Sequence, residues 1–134
     1  MKRGALAALL ALAGCGGGGG GDEPAARATV DAFHAALNSG DLAAIDALLA
    51  REARQLRPPM GTARAFRSII ARHGRHLATT GCDTGTAAGN GRDFITLACT
   101  SRFERATIAE AITLAEDAAG PRLFSYTYKV IGPA

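Results

Sequence analysis

Thr29-Val30-Asp31-Ala32-Phe33-His34-Ala35-Ala36-Leu37 runs into Asn38-Ser39-Gly40-Asp41-Leu42, and this junction orders the rest of the chain. Val30, Phe33 and Leu37 recur at helical spacing, with Ala26 one turn earlier, so they form one apolar stripe. Asp22-Glu23-Pro24 places acids and a proline where that helix begins. Asn38-Ser39-Gly40 supplies its stop, and Asp41 is placed to cap the next helix at once. In that second helix Leu42, Ile45, Leu48 and Leu49 make one apolar face, and Pro58-Pro59 ends any continuation. Gly61-Thr62 restarts the chain with Thr62 as the expected cap. Phe66, Ile69 and Ile70 give the buried side of a third helix, which Gly74 closes.

Beyond Arg75 the period changes from helical to alternating. Thr79-Thr80, Phe94-Ile95-Thr96-Leu97 and Ile108 to Leu114 read as strands. So does Leu123 to Ile131, where Phe124, Tyr126, Tyr128 and Val130 alternate with Ser125, Thr127 and Lys129. Gly89-Asn90-Gly91 marks a hairpin and Gly120-Pro121 another turn. Three helices followed by a meander of about four antiparallel strands give an α+β domain.

The segment from Thr29 to Leu42, continued by Ile45 and Leu48-Leu49, resembles the opening of nuclear-transport-factor-2-like domains. The later stretch Phe103, Glu110 to Leu114 and Leu123 to Tyr126 is similar to uncharacterised bacterial envelope domains of that superfamily. The resemblance covers residues 25 to 131. It implies helices packed on a curved antiparallel sheet, forming a cone with a pocket.

At the start of the chain, Lys2-Arg3 precedes an apolar run of Gly, Ala and Leu over residues 4 to 13. That run is about half the length a spanning helix needs, so it reads as a secretory signal core. Leu12-Ala13-Gly14-Cys15 resembles the lipobox of bacterial lipoproteins. The resemblance implies removal of residues 1–14 and acylation of Cys15, palmitate included, giving a lipid-anchored envelope protein. Stable anchoring takes more than one acyl chain, and lipoproteins of this type carry three. The six glycines Gly16 to Gly21 are a tether with a reach of roughly 13 Å. No aspartate follows Cys15, and by the enteric rule this implies the periplasmic face of the outer membrane. The organisation is then a signal peptide over 1–14, a lipidated cysteine and tether over 15–21, and one domain over 22–134, long enough for a single core.

Loss of Lys2 and Arg3 with the signal lowers the formal charge from +3 to +1, so the overall balance does not point to nucleic acid. The charge is nonetheless uneven. Arginines 51, 54, 57, 64, 67, 72 and 75 face only Glu52 in that interval. They form either a solvated helix face or a basic surface turned toward anionic lipid.

Cys82 and Cys99 remain after the anchor, in a compartment that permits disulfides. If Asn90-Gly91 are the two central residues of the hairpin, Cys82 falls opposite Cys99. That pair is of the non-hydrogen-bonded class, with Cα atoms about 4.5 Å apart, within disulfide reach. The alternative is a pair of reduced, buried cysteines. Neither CxxC spacing nor nearby partners suggest zinc, and no metal or cofactor is expected.

His73 and His76 read as exposed loop histidines separated by Gly74. His34 reads as a core-edge histidine hydrogen-bonded to backbone. Glu110 shares a strand face with Ile108, Ile112 and Leu114, so it either lines a pocket or pairs with an arginine such as Arg102. Enzymes of the cone superfamily use acidic and tyrosine side chains in such pockets. The resemblance therefore makes Glu110 and Tyr126, or Tyr128, the candidate pocket residues. No complete acid–base pair, nucleophile motif or phosphate loop assembles from the sequence, so no catalytic residue is assigned. Two readings of function follow. One is a lipid-anchored, non-catalytic domain that binds a small ligand or an envelope protein. The other is a small pocket enzyme of isomerase or cyclase type using Glu110.

Overall fold

The computed structural model describes residues 23–56 and 59–134. The expected signal peptide over 1–14, and the expected lipidated Cys15 and tether over 15–21, lie outside the described residues. Helix α1 spans Glu23–Ser39, α2 Leu42–Ala47, α3 Arg51–Gln55 and α4 Gly61–His73. Strands β1 (His76–Gly89), β2 (Arg92–Phe103), β3 (Ala106–Asp117) and β4 (Gly120–Gly132) form one antiparallel sheet in the order β1-β2-β3-β4.

The expected junction after α1 is present. Gly40 takes φ +72°, and its N–H reaches the carbonyls of Ala36 and Leu37. The Asp41 side chain accepts from the N–H groups of Ala43 and Ala44, capping α2. The second helix, however, is two short ones. The N–H of Leu123 donates to Leu48 O at 2.8 Å, and the N–H of Ala50 donates to Leu123 O at 2.7 Å. This two-bond bridge to β4 takes backbone groups that a continuous helix would use, so α2 stops at Ala47 and α3 restarts at Arg51.

Thr62 is not the cap of α4. The helix begins at Gly61, after Met60 in a left-handed conformation (φ 58°). The Thr62 hydroxyl instead donates to Ala53 O at 2.7 Å, tying α4 to α3. At the far end Gly74 closes the helix as expected, its N–H on Ile70 O and its φ at +83°.

The hairpin register is the expected one. Cys82 faces Cys99 and Gly89 faces Arg92 across a turn in which Asn90 and Gly91 both have positive φ. The sulfurs of Cys82 and Cys99 are bonded, with Cα atoms 4.0 Å apart. The strands run 12 to 14 residues, well past the short apolar segments that announce them. Register shifts within the β1–β2 and β3–β4 pairings are bulges, which bend the sheet. Its concave face carries Leu97, Cys99, Phe103, Ile108, Ile112 and Leu114, and α1 lays Val30, Phe33 and Leu37 into that curve.

Candidate functional site

Alternation along β3 puts Glu110 on the concave face with Ile108, Ile112 and Leu114, all buried. Glu110 is 2% exposed. A carboxylate in such a place requires donors, and three side chains from three elements supply them. His34 of α1 donates through Nε2 to Oε2 at 2.8 Å. The Tyr126 hydroxyl of β4 donates to the same oxygen at 2.7 Å, and Ser101 Oγ of β2 donates to Oε1 at 2.6 Å. Burial pushes the carboxyl up, but attraction and hydrogen bonding from His34, with the two hydroxyls, outweigh it and hold Glu110 below its ordinary 4.5.

The chain of hydrogen bonds continues outward. Ser101 gives its one proton to Glu110, so it accepts from Thr79 Oγ1 at 3.1 Å. Thr79 has then spent its own proton, and His76 Nε2 must be the donor in its 3.0 Å contact with Thr79 Oγ1. The His76 ring also stacks flat on His34, centroids 3.7 Å apart and planes 6° from parallel. Two cationic rings would repel at that distance. Burial first, then His34, push His76 down to about 4, against partial support from Glu110 and Asp31, so it is neutral at ordinary pH.

Several sequence expectations are corrected here. His34 bonds a carboxylate and not backbone. His76 is half-buried in the cluster, and His73 is half-buried with its ring edge against Tyr128 at 5.6 Å; neither is an exposed loop residue. Arg102 does not pair with Glu110. Three residues along β2 from Cys99, which lies opposite Glu110, it has the other parity and stands exposed on the outer face. Tyr126, and not Tyr128, is the phenol on Glu110. Ser101 and Thr79 are the members of the cluster to which the sequence assigns no site role; the clearer signal is that of Ser101. It shares the inward parity of Leu97, Cys99 and Phe103.

A separate cleft of about 430 Å³ opens between α3, α4 and β4. Ala53, Leu56, Ala65, Phe66, Phe124 and Tyr126 give it an apolar wall, and Glu52, paired with Arg92, is its charged group. Glu110 does not line it. Tyr126 belongs to both places: it lines the cleft, and its hydroxyl donates to Glu110. Burial, then the charge and hydrogen bond of Glu110, push this phenol far above its ordinary value, so it stays a neutral donor. Phe33 at 5.1 Å and Phe66 at 5.6 Å brace the Tyr126 ring.

The chain matches no protein-family profile and no curated protein. Among solved structures it is similar to a member of the NTF2-like family from Streptomyces avermitilis whose proposed activity is that of a dehydratase. Identity is 15%, the match covers 79% of this chain and 93% of that one, and the TM-score is 0.53. Four helices, as described, on a bent four-stranded antiparallel sheet, with this likeness, show that the chain has the nuclear-transport-factor-2-like fold.

Proposed function

We propose that this chain is a lipid-anchored envelope protein, held through Cys15, whose domain binds a small apolar ligand in the cleft without transforming it. The observation that carries this reading is the division between cleft and carboxylate. The apolar cleft walled by Phe66, Phe124 and Tyr126 is of ligand size. Glu110, by contrast, is satisfied by three internal donors and is not among the residues that line the cleft. Its role in this reading is to fix the Tyr126 ring as a wall. The second reading, a pocket enzyme of isomerase or cyclase type, draws on one observation: Tyr126 links the cleft to Glu110 and His34 by hydrogen bonds.

The cleft is tested with the environment-sensitive dye 1-anilinonaphthalene-8-sulfonate. The native domain should bind it saturably, and Ala65→Phe, which fills the cleft, should reduce binding at least about tenfold without unfolding the protein. Unchanged dye binding by a folded Ala65→Phe protein would remove the cleft as the ligand site.

A further inference from the structure

The arginines gathered around the exposed side of α4 take no part in the cleft. The buried side of α4 carries Thr62, Ala63 and Ile69, with Phe66 and Ile70 packed against the core. The opposite side shows Arg64, Arg67 and Arg72 to solvent. Arg75 and Arg105, both exposed, join them from the strand side, Arg105 donating to Ala71 O at 3.1 Å and Arg75 to Asn38 O at 3.4 Å.

Four of these guanidinium groups, those of Arg64, Arg67, Arg75 and Arg105, reach backbone carbonyls and keep donors to spare. Arg64 reaches Pro59 O at 2.7 Å, and Arg67 makes a long 3.5 Å contact to Gly40 O. The ion pairs among the described residues engage Asp31, Asp46, Glu52 and Glu110, and none of them involves Arg64, Arg67 or Arg72. The nearby acids are otherwise occupied: Asp41 caps α2, and Glu104 accepts from the Arg75 N–H at 2.8 Å. A shallow groove between the end of α1 and α4 is lined by Arg64, Arg67, Ser68 and Asn38. Ser68 gives its proton to Ala65 O and Asn38 Nδ2 donates to His76 O, so the charged donors of the groove are the two guanidinium groups. One turn before Arg64 stands Met60, an exposed apolar side chain.

We infer that this arginine face of α4 docks on an anionic phospholipid surface, the groove receiving headgroup phosphates and Met60 entering the interface. Charge complementarity selects the occupant. Five arginines on one side of a domain with little net charge are a local field matched to a surface of many phosphates. The inference shares the envelope setting of the reading above but does not depend on Cys15 or on the cleft. It would turn the tethered domain so that α4 faces the bilayer.

The test uses the chain from Asp22 to Ala134, which contains the whole core from Ala26 to Tyr126. It is mixed with vesicles of equal parts phosphatidylglycerol and phosphatidylcholine and sedimented. The domain should bind at about 20 mM salt, release at about 500 mM, and ignore pure phosphatidylcholine. R64E/R67E should weaken binding at least about tenfold, and R64Q/R67Q should weaken it in the same direction by less. R102E/K129E, the same charge change on the outer sheet face, should stay within about twofold of the native domain. Circular dichroism establishes that each variant is folded. Absence of vesicle binding overturns the inference. So does an equal loss in R102E/K129E, which would mean diffuse charge. Equal binding of a DNA duplex at the same salt would point to nucleic acid and overturn it as well. Dye binding in the cleft should be the same in R64E/R67E, which keeps this result separate from that one.

Discussion

Glu110 shows how one residue commits several elements at once. Its two oxygens collect donors from α1, β2 and β4, so removing it takes the acceptor from three buried donors, of which only Ser101 keeps a second partner, Thr79, through the bonded atom. Breaking a buried charged network by deleting one partner costs about 3–5 kcal/mol. Urea denaturation of Glu110→Ala should show a loss of that size, and Glu110→Gln, which keeps one acceptor, a smaller one. The same cluster sets the response to acid. Glu110 is held below its ordinary 4.5, so its contribution is complete above that value and is lost as the pH falls through the folded pKa. His76 is neutral down to about 4 against an ordinary 6.5, so between those values the unfolded chain binds the extra proton and stability falls as pH falls. His76 is half-exposed, and screening reduces its share to about 1 kcal/mol. Denaturation across pH should therefore show stability declining from 6.5 downward. His76→Phe, which keeps a ring on His34, should flatten the upper part of that decline and leave the fall below 4.5. A native-like slope between 6.5 and 4.5 in His76→Phe would contradict the assignment.

Among the elements, the β1–β2 hairpin is the one whose register could be worked out residue by residue. The two central turn residues set the count, and each strand position follows from it, down to the facing cysteines. The Cys82–Cys99 bridge closes a loop of about 18 residues, worth roughly 3 kcal/mol in the chain-entropy account. Cys82→Ser and Cys99→Ser should each lose a similar amount, and the double variant about as much as either. Mass spectrometry of unreduced protein should find no free thiol at either position. Helix ends were legible for the same local reason: Gly40, Asp41 and Gly74 act within one turn. The break between α2 and α3 was not. It is imposed by Leu123, more than seventy residues away, through hydrogen bonds that no helical pattern records. Thr62 misled because threonine is an ordinary cap, while here tertiary packing takes its hydroxyl to Ala53.

For the molecule as a whole, the change of period after Arg75 made the architecture legible, since segregated helices and strands leave few ways to bury one core. The inward placement of Glu110 was legible too, from alternation alone. Its histidine partners were not, because His34 lies 76 residues from it and His76 joins the cluster by stacking on His34. Those contacts exist only once α1 lies in the curve of the sheet. On the reading proposed above, this sealed carboxylate supports a binding cleft and does no chemistry in it. The most direct test is a pH titration of the Glu110 side-chain carbon by NMR, with and without 1-anilinonaphthalene-8-sulfonate. Glu110 should titrate below the ordinary 4.5, with a midpoint that the dye leaves in place. A midpoint raised above the ordinary value, and moved further when the cleft is filled, would contradict it and make Glu110 the acid–base group of an enzyme.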